Sequence, residues 1–175
     1  MLEHLIHQEL YNQLSGLQLE YDGQPVNLQI WRAKQIVKDI GYPCLFIDYL
    51  DPVIDKTNTP LNEILRIQLV DAKDGQKDID YTKGVVVKQS IDLNIYDNNI
   101  KRIAKLQNDI WLWAKKDLTL SNVTVFDVLP PRVLDFTEED FVYRRMIEIV
   151  CKFEMTWEEI VKTIEEVETS VEVQS

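Results

Sequence analysis

Residues 141–157 read FVYRRMIEIVCKFEMTW, and the reading of this stretch decides the fold. One alternate set is Phe141, Tyr143, Arg145, Ile147, Ile149, Cys151, Phe153, Met155 and Trp157, apolar but for one arginine. The other set, Val142, Arg144, Met146, Glu148, Val150, Lys152, Glu154 and Thr156, is mixed and mostly polar. A period of two with one apolar side is the pattern of a strand with one buried face. Unbroken, it would span about 55 Å at roughly 3.3 Å per residue, well beyond the common strand length of about 5–6 residues. Such a strand bends at a bulge, or it runs past its own domain and offers an edge to a neighbour. Arg145, the one charge on the apolar side, is expected to lie beyond the sheet and point at a neighbouring subunit.

Residues 85–96, VVVKQSIDLNIY, form the second long strand, with Val85, Val87, Gln89, Ile91, Leu93 and Ile95 on one face. A helix over 98–116 follows directly. Its apolar stripe is Ile100, Ile103, Ala104, Leu106, Ile110, Trp113 and Ala114, and Asp97 stands where an N-cap belongs. Lys115 and Lys116 complement the helix dipole at the far end. Trp111 falls off the stripe and is a candidate interface anchor.

Upstream, residues 2–14 read as an amphipathic helix with Leu2, Leu5, Ile6, Leu10 and Leu14 on one side and Ser15-Gly16 as its stop. The spacing predicts a hairpin of 17–21 with 26–31 around Asp22-Gly23, then a short helix over 32–40 ending at Gly41. A Pro-flanked strand, CLFIDYL, occupies 44–50. Residues 64–70 form a strand, and the charged stretch 71–80 is an exposed hairpin tip or mobile loop. Residues 118–128 hold a further strand with Val123, Val125 and Val128 inward, broken by Pro130-Pro131. Residues 134–140 are a charged connection. From Thr156 with Glu159, a capping-box pattern opens a helix whose face would carry Trp157, Ile160, Ile164 and Val167. The fold class expected is α+β: a mixed, mostly antiparallel sheet with helices on one face, an extended loop and a C-terminal arm. One domain covers 1–157, with an excursion around 56–84, and an acidic arm covers 158–175.

Composition narrows the function. The formal net charge of −11 argues against a basic nucleic-acid footprint. No run approaches the ~20 apolar residues of a membrane span, and no signal peptide is visible. Cys44 and Cys151 sit in apolar strand patterns and read as buried reduced thiols, which points to a compartment without oxidant. His4 and His7 lie three apart on the first helix, but no further ligand pattern completes a metal site. Asp48, Asp51 and Asp55, and likewise Asp71, Asp74, Asp78 and Asp80, lack the spacing of a calcium loop. Glu138, Glu139 and Asp140 stand in a row with nothing apolar interleaved to raise a pKa. There is no glycine-rich phosphate loop, no GxSxG elbow and no Cys–His pair with an orienting acid. The four tryptophans, Trp31, Trp111, Trp113 and Trp157, invite a stacking role that the acidic balance opposes. No catalytic residue, cofactor or metal is expected.

The order of elements carries a resemblance. A helix, a strand pair, the strand YPCLFIDY, the unit VVVKQSIDLNIYDNNIKRIAKLQNDIWLWAKK and a late long strand YRRMIEIVCKFEMTW follow one another. This order resembles the tail-terminator, or tail-completion and head–tail joining, proteins of long-tailed bacteriophages and related contractile injection systems. It covers residues 1–157 apart from 71–80. The resemblance implies a structural virion protein, made in the host cytoplasm, that forms a ring, usually of six subunits. The ring caps the tail tube at its head-proximal end and meets the neck or connector proteins. It also implies a protein without an active site, through which DNA passes without specific binding. The candidate interface residues are Trp111, Arg145, Trp157, Ile160 and Ile164. The alternatives are a monomeric or dimeric adaptor or chaperone whose aromatics line a groove, and a hydrolase using Asp48 or the 138–140 acids.

Overall fold

The computed structural model describes residues 2–34, 39–61, 63–71, 77–121, 123–137 and 142–161. In chain order these form α1 (Leu2–Ser15), β1 (Glu20–Tyr21), β2 (Gln24–Pro25), β3 (Gln29–Arg32), β4 (Cys44–Tyr49), β5 (Val53–Ile54), β6 (Ile64–Asp71), β7 (Lys77–Asp97), α2 (Ile100–Lys116), β8 (Thr124–Val128), β9 (Arg132–Thr137) and β10 (Val142–Val161). The fold is α+β, with a mostly antiparallel sheet. Two compact units divide the chain: Met1–Val53 with Val87–Phe153, and Ile54–Val86 with Glu154–Ser175. The two longest strands, β7 of 21 residues and β10 of 20, supply residues to both.

In the first unit the strand order is β3-β4-β7-β10-β8, with β9 also paired to β10. β3 runs parallel to β4, and the β4–β7, β10–β8 and β10–β9 pairs are antiparallel. The alternation read from sequence places Leu45 and Ile47 of β4, Ile91, Leu93 and Ile95 of β7, and Ile147, Ile149 and Cys151 of β10 in one buried cluster. Ile6, Leu10 and Leu14 of α1 and Ile103, Leu106, Ile110 and Ala114 of α2 fill the same cluster, so both helices cover one face of the sheet. Each of these large side chains contributes about 1.5–3 kcal/mol by leaving water. β10 carries an irregularity: its register with β8 shifts between Val150 and Cys151.

α2 starts one residue pair later than the sequence suggested. The cap is Asn99, whose side-chain oxygen accepts from the N–H groups of Lys101 and Arg102 at 3.0 and 3.1 Å. Asp97, expected as the cap, is still in β7 and engages Asn99 N–H and the Arg102 guanidinium instead. α1 closes as read, with Gly16 N–H donating to the carbonyls of Asn12 and Gln13.

Several expectations are corrected. Asp22 and Gly23 both take positive φ, 51° and 73°, the two-residue turn that joins β1 to β2. The hairpin ends there, because residues 29–32 leave it to pair in parallel with β4. Residues 32–34 are the end of β3 and a turn, not a helix start, and Lys34 has φ 68°. Residues 35–38 lie outside the described set. Part of the 134–140 connection is strand β9, which follows Pro130-Pro131 and pairs with β10. Residues 156–161, read as the opening of a helix, continue strand β10.

The second unit contains the hairpin of β6 with the first part of β7, from Ile64↔Lys83 to Asp71↔Lys77. Of the charged stretch 71–80, residues 71 and 77–80 are strand, and 72–76 lie outside the described residues. Asp55 is buried and organises a turn, accepting from Thr57 N–H at 3.2 Å and Asn58 Nδ2 at 2.8 Å. At Gly84 the backbone of β10 comes so close that a Cβ would lie 2.4 Å from the Met155 carbonyl oxygen and 2.7 Å from Leu65 Cδ1. Only glycine admits that approach without displacement.

Candidate functional site

The face of the first unit's sheet turned away from the helices carries the other alternate set, and its polar side chains form rows across the strands. Trp31 of β3 stands opposite Phe46 of β4. Phe46 meets the Tyr96 ring edge-on at 5.7 Å, and the Arg144 guanidinium lies over Tyr96 at 5.7 Å. Arg144 also donates through Nη2 and Nε to Asn94 Oδ1, at 2.8 and 3.2 Å. The row is half-buried, and the indole Nε1 of Trp31 has no hydrogen-bond partner among the described residues.

A second row is ionic. Asp48 of β4 is directly opposite Asp92 of β7. On β10, Glu148 accepts from Ser90 Oγ at 2.8 Å and pairs with Arg132 of β9. Burial first, then the Glu148 charge, push the Asp92 carboxyl above the ordinary aspartate range. Arg132 and Arg144 oppose the shift and Asp48 adds to it. A third cluster joins Lys152 and Lys88 to the exposed ring of Phe126, with Nζ 3.5 and 6.0 Å from the centroid.

The charged and aromatic side chains of this face engage one another. Its cations sit on rings or carboxylates. No group of three His, Cys, Asp or Glu side chains among the described residues has the geometry of a metal site. Cys44 and Cys151 are buried free thiols. Burial and the Asp97 charge raise Cys44 to about 11, and burial raises Cys151 to about 12, so neither forms a thiolate nucleophile near neutrality. A cleft of about 390 Å³ opens between Tyr21, Pro25, Val26, Tyr42, Pro43 and Arg102. The charge of Arg102 is already matched by Asp97, leaving the cleft mainly ring and aliphatic surface.

The residues singled out by sequence are dispersed. Trp111 is not a projecting anchor: it is half-buried against the core, and its Nε1 donates to the Leu129 carbonyl at 3.1 Å. Arg145 does not lie beyond the sheet. It is inside the paired part of β10, opposite Val133, with Nε enclosed and lacking a hydrogen-bond partner among the described residues. Trp157 and Ile160 belong to β10 by backbone, and Ile164 lies outside the described residues, as do Glu138, Glu139 and Asp140. His7 Nδ1 is 3.2 Å from the Tyr49 hydroxyl. Asp48 is the one candidate acid on the sheet face described above. Its partners Asp92 and Glu148 went unnoticed because strand order, absent from the sequence, is what brings them together; their only trace was their place on the polar side of the two long strands.

No helix among the described residues is long and apolar enough to cross a membrane. Compared with protein-family models and with curated proteins, the sequence matches none.

Proposed function

We propose that this chain is a ring-forming structural protein of a bacteriophage tail, a terminator that caps the tail tube at its head-proximal end and joins it to the neck. The observation that carries the reading is the element order with both helices on one face of a mostly antiparallel sheet, the arrangement implied by the resemblance to tail terminators. Two strands of about twenty residues supporting two compact units also suit a protein whose function lies in its interfaces. In this reading the subunit contacts lie along the C-terminal stretch, at Trp157, Ile160 and Ile164. Trp111 is no longer among them. The lumen carries DNA without holding it, because affinity for phosphate comes from cations and the chain is strongly acidic.

A second reading, a monomeric or dimeric protein-binding adaptor, draws on the half-buried row of Trp31, Phe46 and Tyr96. Mass measurement in solution separates the two. A closed multiple of the 20.6 kDa chain supports the ring, and a monomer both alone and with tail tubes present would end it.

A further inference from the structure

We propose that Asp92, when protonated, donates across the β4–β7 ladder to Asp48, so that this seam of the sheet is more stable at low pH than at high pH. The two residues are direct partners in an antiparallel ladder and lie on the same face, where Cβ atoms stand about 4.5–5.5 Å apart and like charges repel. Asp92 Oδ1 is enclosed, and no hydrogen bond reaches it among the described residues. The neighbouring charges decide where its proton goes. From β10, Glu148 and Arg144 face Asp92; from β9, Arg132; from β4, Asp48. Glu148 has its two oxygens engaged by Ser90 and Arg132, and Arg144 is engaged by Asn94 and the Tyr96 ring. Asp48 is the carboxylate directly across the ladder from it. When Asp92 is protonated its hydroxyl donates to Asp48, the enclosed oxygen gains a partner, and one charge of the row is removed. No other covalent change is involved.

The sign follows from linkage. A carboxyl whose folded-state pKa is raised binds its proton more readily in the native chain than in the unfolded one. Its stabilisation is full below the unfolded value of about 3.9 and is lost as pH rises through the raised native value. Burial and the flanking acids give that direction here.

The test compares thermal unfolding of the full-length chain with Asp92→Asn and Asp48→Asn from pH 4.5 to 7.5. Asp92→Asn is expected to raise Tm by about 2–4 °C at pH 7.5, with the difference shrinking as pH falls. Asp48→Asn should show the same trend with smaller amplitude. Parallel curves for wild type and Asp92→Asn would overturn the proposal. Should the variants fail to fold, carbon-13 titration of wild-type aspartate carboxyls decides. The Asp92 resonance titrating above the ordinary aspartate range supports the proposal, and its titrating within or below that range would overturn it.

Discussion

Asp97 and Arg102 fasten the end of a central strand to the first turn of the helix that covers it. The carboxylate is fully buried and accepts from Nη2 at 2.6 Å and Nε at 2.7 Å, while the guanidinium keeps about a quarter of its surface in water. A planar, two-point contact of this kind fixes geometry as well as charge. The bond to Asp97 also holds the guanidinium more firmly protonated than usual.

Removing one partner leaves the other without compensation. Asp97→Ala is expected to cost about 3 kcal/mol, because a half-buried cation loses both its bonds. Arg102→Ala should cost at least as much, by leaving a buried carboxylate with no cation and only the Asn99 N–H to bond. Denaturant unfolding of the two single variants and the double variant measures their coupling, and an additive cycle would show that the pair contributes nothing.

At Gly84 the backbones of β7 and β10 approach closely in the second unit. Gly84→Val is expected to destabilise that unit by about 1–3 kcal/mol through overpacking against Met155 and Leu65. Amide exchange should quicken at residues 78–86 and 154–156 while residues 91–95 keep their protection. Uniform loss of protection would contradict the division into units.

Both thiols should be silent in the native chain. With Cys44 near 11 and Cys151 near 12, an aromatic disulfide reagent at pH 8 is expected to label neither within minutes, and to label both after unfolding. Rapid native labelling of either would contradict its burial.

Trp111→Phe removes the indole donor but keeps the ring. The expected effect is a loss of about 1 kcal/mol in stability, from the orphaned Leu129 carbonyl, with no change in self-association. Loss of assembly at unchanged stability would restore Trp111 as an interface anchor.

These particulars show how much was legible beforehand. The strands read at 44–50 and 85–96 and the helix read at 98–116 were legible because a two-residue or 3.6-residue apolar period leaves a trace on each chain segment. What escaped was pairing. Nothing local says that residues 29–32 run parallel to β4 rather than complete the hairpin, or that 132–137 pairs with β10. The same blindness hid the ionic row, since Asp48, Asp92 and Glu148 become neighbours only once strand order is known. Asp97 was misread for a related reason: a carboxylate just before a helix suits a cap, and only the tertiary contact with Arg102 shows it engaged elsewhere.

The central claim is assembly, and negative-stain imaging of the full-length chain mixed with purified tail tubes tests it most directly. The account predicts closed rings of identical subunits seated at one end of each tube. Tubes with bare ends, beside a chain that stays monomeric, would contradict it.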